Sequence, residues 1–332
     1  MLYELIQPYT SVSTVGMCKN AGKTTVLNEL IRLCAEHGET VALTSVGRDG
    51  ERSDLVTGTK KPEIFVYSGT LIATAADCLD LGDVSREILW TSGMPTPMGE
   101  VVLARAWSDG LVQLAGPSMT AQLRVIREKM LELGAGRVFI DGALSRKSLA
   151  MPAVSDAAIL STGASYSRDM KKTVNDTAHS AALMSLERTE REDVPEDAEQ
   201  KFTVLCGSKA QCFELAEDAA DALRRAEKAA VLIRGGVTDR AAEAFFSAGR
   251  ALSGTEFIAE DGSRLLLSAG NYEKLLRAGS RFTVLKTTRL LAVTVNPFSA
   301  YGTHYDTDAF LDAMRRAVPA GVPVLNVKTK DA

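Results

Sequence analysis

Residues 16 to 25 read Gly-Met-Cys-Lys-Asn-Ala-Gly-Lys-Thr-Thr, between a short β-branched run at 12–15 and an apolar stripe of helical period (Val26, Leu27, Leu30, Ile31, Leu33, Cys34). A strand, a glycine-bounded loop and a helix in that order form the layout that turns successive backbone N–H groups toward a phosphate. Gly16 and Gly22 permit the turn, Lys23 carries charge for a β/γ-phosphate, and the Thr24 hydroxyl suits Mg²⁺. The expected nucleotide-binding set is therefore Gly16, Cys18, Lys19, Asn20, Ala21, Gly22, Lys23, Thr24 and Thr25, with ATP and Mg²⁺ as the cofactors. Five residues separate Gly16 from the Gly22-Lys23 pair, where the common pattern has four. One glycine position is thus off the usual template.

At 332 residues the chain is long for one domain, and two packed domains are expected. A net charge of −4 and the lack of a clustered Lys/Arg stretch give no support for a nucleic-acid or anionic-membrane surface. The first residues show no basic stretch followed by an apolar one, and no run approaches the roughly 18 apolar residues of a membrane span. A cytoplasmic location is the expectation. The five cysteines contain no CxxC pair and their odd number argues against a disulfide framework. Cys18, inside the loop, reads as a tolerated loop residue; a thiol beside helix N-terminal N–H groups with a lowered pKa is the alternative.

Apolar runs alternate with helical patterns throughout, which predicts an α/β fold with a mostly parallel sheet. Strands are expected at 12–15, 41–46, 64–67, 101–105, 138–140 and 158–161, and helices at 24–37, 70–80, 84–90, 118–134 and 168–186. Residues 187–200, charged and carrying Pro195, read as a linker between a nucleotide-binding domain over 1–186 and a smaller Rossmann-like unit over 201–332. In that second part, strands are expected at 202–206, 230–233, 257–259, 282–285, 291–295 and 324–327, and helices at 209–227, 238–250, 270–278 and 307–318. The alternative is one continuous α/β domain, with the C-terminal strands added to the first sheet.

A phosphate loop needs an acidic partner at the end of a neighbouring strand, to hold Mg²⁺ or its water. Asp141, closing the apolar run at 138–140, is the Walker B candidate, and Gly142 permits close backbone approach to a γ-phosphate. Asp49 follows the second strand and is the other candidate catalytic and metal-ligating carboxylate, with Glu51 in reserve. Arg48 or Arg52 would neutralise transition-state charge. Lys23, Asp49 and Asp141 form the expected catalytic set, and Thr24, Asp49 and Asp141 the metal set.

No Asn/Thr-Lys-x-Asp signature for guanine occurs, which favours ATP over GTP. Three more segments are irregular enough to carry ligands: 58–62 with two lysines, 161–165 after a strand, and 296–306 at the expected C-terminal edge of another. Each also reads as a plain loop of turn residues. His37, His179 and His304 have no metal-ligand spacing, and His37 beside Gly38 reads as a helix cap. Hydrolase and zinc signatures are absent from the sequence.

The loop resembles that of dethiobiotin synthetase and its relatives in the SIMIBI class of P-loop NTPases, whose Asp/Glu-Gly pairs Asp141-Gly142 also matches. Together with residues 45–51 and 139–147, it is similar to the B-subunit family of lysine 5,6-aminomutase reactivases. That resemblance covers the first half of the chain. It implies a second ATPase subunit as partner and an adenosylcobalamin-dependent aminomutase as client, with ATP turnover driving exchange of damaged cofactor. Of the site residues, only the loop positions and Asp141 carry over. The alternative function is an ATP-dependent synthetase or kinase that phosphorylates a small carboxylate, and a third is a nucleotide-binding protein without hydrolysis.

Overall fold

A computed structural model describes residues 1–47, 63–142, 154–195, 199–207, 209–226 and 228–327. The chain divides into two compact units, one of residues 1–181 and 289–332, the other of 182–288.

The first unit opens with a short helix, α1 (Leu2–Ile6), then β1 (Ser11–Gly16), α2 (Lys23–Glu36) and β2 (Val41–Ser45). All six residues of β1 are buried, as expected of a central strand covered on both faces. In α2, Val26, Leu27, Leu30, Ile31 and Cys34 are buried at helical spacing. Each large aliphatic side chain so buried contributes roughly 1.5–3 kcal/mol. The helix ends at His37, whose Nδ1 lies 2.8 Å from the Leu33 carbonyl, and Gly38 follows with φ +70°. The cap read from the sequence is thus in place.

The chain continues through β3 (Ile64–Val66), β4 (Leu71–Ala75), α3 (Ala76–Leu79), β5 (Arg86–Thr96), β6 (Gly99–Ala106), β7 (Gly110–Val112), α4 (Thr120–Glu132), β8 (Arg137–Asp141), β9 (Ala157–Gly163) and α5 (Met170–Met184). The expected helix at 70–80 is reduced to 76–79, its first half being a strand, and the one expected at 84–90 gives way to a strand. Residues 71–75 form a fully buried run of five, short enough to be read in either period, and pair in parallel with β2. Residues 86–96 form the outer strand of a hairpin with β6, a pairing that the short run at 84–90 does not record.

The second unit holds β10 (Phe202–Cys206), β11 (Lys209–Phe213), α6 (Ala216–Leu223), β12 (Ala230–Ile233), β13 (Val237–Thr238), α7 (Asp239–Phe246), β14 (Glu256–Ala259), β15 (Leu265–Leu266), α8 (Ala269–Arg277) and β16 (Arg281–Val284). Its main sheet runs β11-β10-β12-β14-β16, parallel from β12 to β16 and antiparallel across β10. Residues 209–213, expected to begin a helix, form the hairpin partner of β10. Phe202, Phe245, Phe257 and Phe282 link through the core with ring centroids 5.6, 5.1 and 5.3 Å apart.

The chain then returns to the first unit with β17 (Arg289–Asn296), α9 (Thr307–Ala317) and β18 (Val324–Leu325). Among the described residues, nine strands form one sheet in the order β18-β17-β9-β1-β8-β2-β4-β6-β5. Every pair from β18 to β4 is parallel and only the β4–β6–β5 edge is antiparallel. The protein is therefore α/β with a large, mostly parallel sheet.

The expected boundaries change accordingly. Strands at 291–295 and 324–325 belong to the first sheet, because the buried apolar run of β17 finds its partner in β9, from Arg289↔Ala157 to Asn296↔Gly163. The second unit is an insertion between α5 and β17 and keeps a sheet of its own, so the division at 187–200 does not describe the chain, and of the alternative only the addition of the C-terminal strands to the first sheet does. Nor do residues 187–195 behave as a linker. Thr189 donates from its backbone N–H to Val284 and from its hydroxyl to Glu256, while Val194 packs on a cluster of Leu205, Ala230, Leu232 and Ile258. No helix among the described residues is long and apolar enough to cross a membrane.

Candidate functional site

In the sheet, β1 has β8 on one side and β9 on the other, and the chain leaves β1 toward β2 but leaves β9 toward β17. A crevice between strands whose connections run in opposite directions is where open α/β sheets hold ligands. The loop after β1 opens at this place.

Gly22 is the N-cap of α2 at φ +101°, a conformation open to glycine, and it supplies no side-chain cap. The N-terminus of this 14-residue helix carries the positive end of its dipole. Asn20 is also left-handed, at φ +59°, and Ala21 between them is buried. The two reversals curl the loop back over the end of β1. The Lys23 side chain lies across Gly16, since a Cβ at Gly16 would stand 3.0 Å from both its Cγ and its Cδ. Lys23, Thr24 and Thr25, the first turn of α2, are half-buried, while Lys19 and Asn20 are exposed. This geometry suits an anion beside Lys23 and the helix N-terminus.

Asp141 is the last residue of β8, and the register sets it opposite Thr14 on β1 and Ser45 on β2. The Thr14 hydroxyl approaches its carboxylate at 3.5 Å, and the Val46 N–H donates to its carbonyl at 2.9 Å. The carboxylate therefore stands at the same sheet edge as the loop, one strand away. Thr24 and Asp141 are hard oxygen donors, which fits Mg²⁺ bound through one or two protein oxygens, phosphate and water. No cluster of three His, Cys, Asp or Glu suited to a metal occurs among the described residues, and such an ion needs none. Asp49, Glu51, Arg48, Arg52 and the segment 58–62 lie outside the described residues.

Two of the irregular segments meet the loop. The Met17 N–H donates to the Ser161 carbonyl at 2.8 Å, and the Ala164 N–H to the Asn296 carbonyl at 2.9 Å. The Asn296 side chain bonds the Asn20 carbonyl. Residues 296–306 close on themselves through a bridge between Phe298 and His304 and a Tyr305 N–H to Pro297 carbonyl bond of 2.9 Å. They are tied to residues 161–167 by Ser165–Ser299 and by the Tyr305 hydroxyl, which donates to the Ser167 carbonyl. Phe298 and Tyr301 stand 53% and 65% exposed on this segment, with the Phe298 ring edge-on to His304. Asn296, Tyr166 and Tyr305 were not singled out individually from sequence; an Asn-Pro step after an apolar strand was the available signal for the first.

The site's electrostatics also bear on Cys18. Burial pushes its thiol up to about 11, and the nearby Lys23 charge only partly offsets this. The half-buried Cys18 is thus a neutral thiol, not an activated one. Burial likewise pushes Tyr166 up to about 12, aided by its 2.8 Å hydrogen bond to Asp176, so it acts as a neutral donor.

A cleft of about 320 Å³ lies beside the first turns of α2, lined by Thr25, Asn28, Phe65 and Tyr67 among others. Its charged lining residues, Glu29 and Arg32, are paired with each other at 2.6 Å.

No protein-family model, curated protein or solved structure matches this chain, so its functional reading rests on the residues and geometry of this site.

Proposed function

We propose that the chain binds ATP with Mg²⁺ in the loop at residues 16–25 and hydrolyses it, as a P-loop NTPase whose turnover acts on another protein. The observation that carries this reading is Lys23 folded over Gly16 at the N-terminus of α2, with Asp141 at the same edge on the next strand. Backbone N–H groups and the Lys23 ammonium would hold the phosphate oxygens and stabilise charge that grows in the transition state. Thr24 and Asp141 would hold Mg²⁺, which supplies charge neutralisation at the phosphates. Water attacks the γ-phosphorus, the bond to the bridging oxygen breaks, and ADP and inorganic phosphate leave.

The resemblance of the loop and the Asp141 run to aminomutase reactivases extends this reading to the client: a cobalamin-dependent aminomutase, with a second ATPase subunit as partner. A second reading, phosphorylation of a small carboxylate, draws on the cleft beside Thr25. Its arginine is already committed to Glu29, which weighs against carboxylate capture there.

The test is ATP and GTP hydrolysis with Mg²⁺ by the purified chain and its Lys23→Ala variant, alone and with the aminomutase. Stimulation by the mutase, lost in Lys23→Ala, is the expected result. ADP formation strictly dependent on a small carboxylate would replace this reading with the second, and failure to bind either nucleotide would overturn both.

A further inference from the structure

Asn296 joins three pieces of the sheet edge. Its backbone carbonyl accepts the Ala164 N–H at 2.9 Å, and Gly163 is small enough to admit it: a Cβ at Gly163 would stand 2.2 Å from that oxygen. Its own Cβ would lie 3.6 Å from a Cβ at Gly22. Its side-chain amide reaches the loop, with Nδ2 donating to the Asn20 carbonyl at 3.3 Å and Oδ1 accepting the Phe298 N–H at 3.2 Å. These partners set the orientation of the amide, since the flipped form would oppose two carbonyls and two N–H groups.

We propose that Asn296 is a positioning residue that aims the phosphate loop and makes no base contact of its own. This rests on the reading that residues 16–25 hold phosphate. In a trans peptide the C=O and the following N–H point to opposite sides. Holding the Asn20 carbonyl toward Asn296 therefore turns the Ala21 N–H away from it, next to the helix N-terminus. Asn20 sits in the left-handed region that few non-glycine residues other than asparagine and aspartate adopt, and the bond from Asn296 adds to what holds this peptide there. Both polar ends of the Asn296 amide are occupied within the chain. The exposed rings of Phe298 and Tyr301, farther along the segment, are the candidates for a base contact.

The experiment measures binding of ATP and of inorganic tripolyphosphate, each with Mg²⁺, by calorimetry for the full chain, Asn296→Leu, Asn296→Ala and Phe298→Ala. Leucine keeps the size and removes both hydrogen bonds. Loss of a hydrogen bond that aims the loop should weaken both ligands by a similar factor, about tenfold, in both Asn296 variants. Phe298→Ala should leave tripolyphosphate binding unchanged. Melting temperature without ligand is the control: a merely structural role would lower it, whereas a positioning role leaves it within a few degrees. Weaker ATP binding with unchanged tripolyphosphate binding would make Asn296 a base contact and overturn the inference, as would no change in either ligand. Failure of the unsubstituted chain to bind tripolyphosphate or ATP would overturn the phosphate-loop reading itself.

Discussion

The Lys23 side chain crosses Gly16 so closely that a Cβ there would stand 3.0 Å from its Cγ and Cδ. Gly16→Ala therefore displaces the middle of the lysine chain and leaves the strand intact, because the crowded atoms belong to a movable side chain. The expected outcome is ATP affinity about tenfold weaker, equivalent to about 1.4 kcal/mol, with a melting temperature close to that of the parent. Titration with a fluorescent ATP analogue checks it; unchanged affinity would show that the lysine is not placed by this contact.

Cys18 should behave as an unreactive thiol. With its pKa pushed up to about 11 by burial, only a small fraction is thiolate at pH 8, so iodoacetamide should label it much more slowly than the exposed Cys212. Mass spectrometry of a labelling time course reads this directly. Faster labelling of Cys18 would show that the loop opens or that the helix N-terminus outweighs burial.

At the opposite edge of the sheet, Arg137 is 6% exposed and holds the N-terminal segment. It pairs with Glu39 at 3.1 Å and donates to the carbonyls of Ile6 and Tyr9. Arg137→Met would leave these acceptors unmatched, at a cost of about 3 kcal/mol. Burial raises the Glu39 pKa, but the Tyr3 hydroxyl and Arg137 outweigh it and hold the carboxyl below its ordinary 4.5. A depressed carboxyl contributes stability above the unfolded value and loses it as pH falls through the folded one. The advantage of the parent over Glu39→Gln in melting temperature should thus be complete at pH 6–7 and shrink below about pH 4.5. A constant difference across that range would contradict the assignment.

Thr189→Val tests the place of the charged stretch before β10. Thr189 donates to Glu256, a buried carboxylate also held by Thr283 at 2.7 Å and Arg281 at 2.8 Å. Removing one of three donors should cost about 1 kcal/mol and speed amide exchange in β14 and β16. A true linker residue would leave exchange in those strands unchanged.

The strand-loop-helix at residues 11–36 was legible because each part is specified locally: a buried β-branched run, two glycines at a turn, and an apolar stripe of period 3.6. Asp141 at the end of an apolar strand was legible for the same reason, and so were the parallel strands whose residues are buried throughout. Residues 71–75 and 209–213 were not, because a five-residue segment carries too few periods to separate helix from strand, and pairing partners decided them. The same holds for the unit boundary. A strand such as β17 records its apolar faces but not its neighbour, so only the folded sheet could place it against β9, with Asn296 paired to Gly163 133 positions earlier, rather than with the second unit. Asn296 reaches the loop at 16–25 through that pairing, 276 residues from the Asn20 carbonyl it holds. Local chemistry wrote the loop into the sequence; long-range pairing, which no local pattern encodes, decided what stands around it.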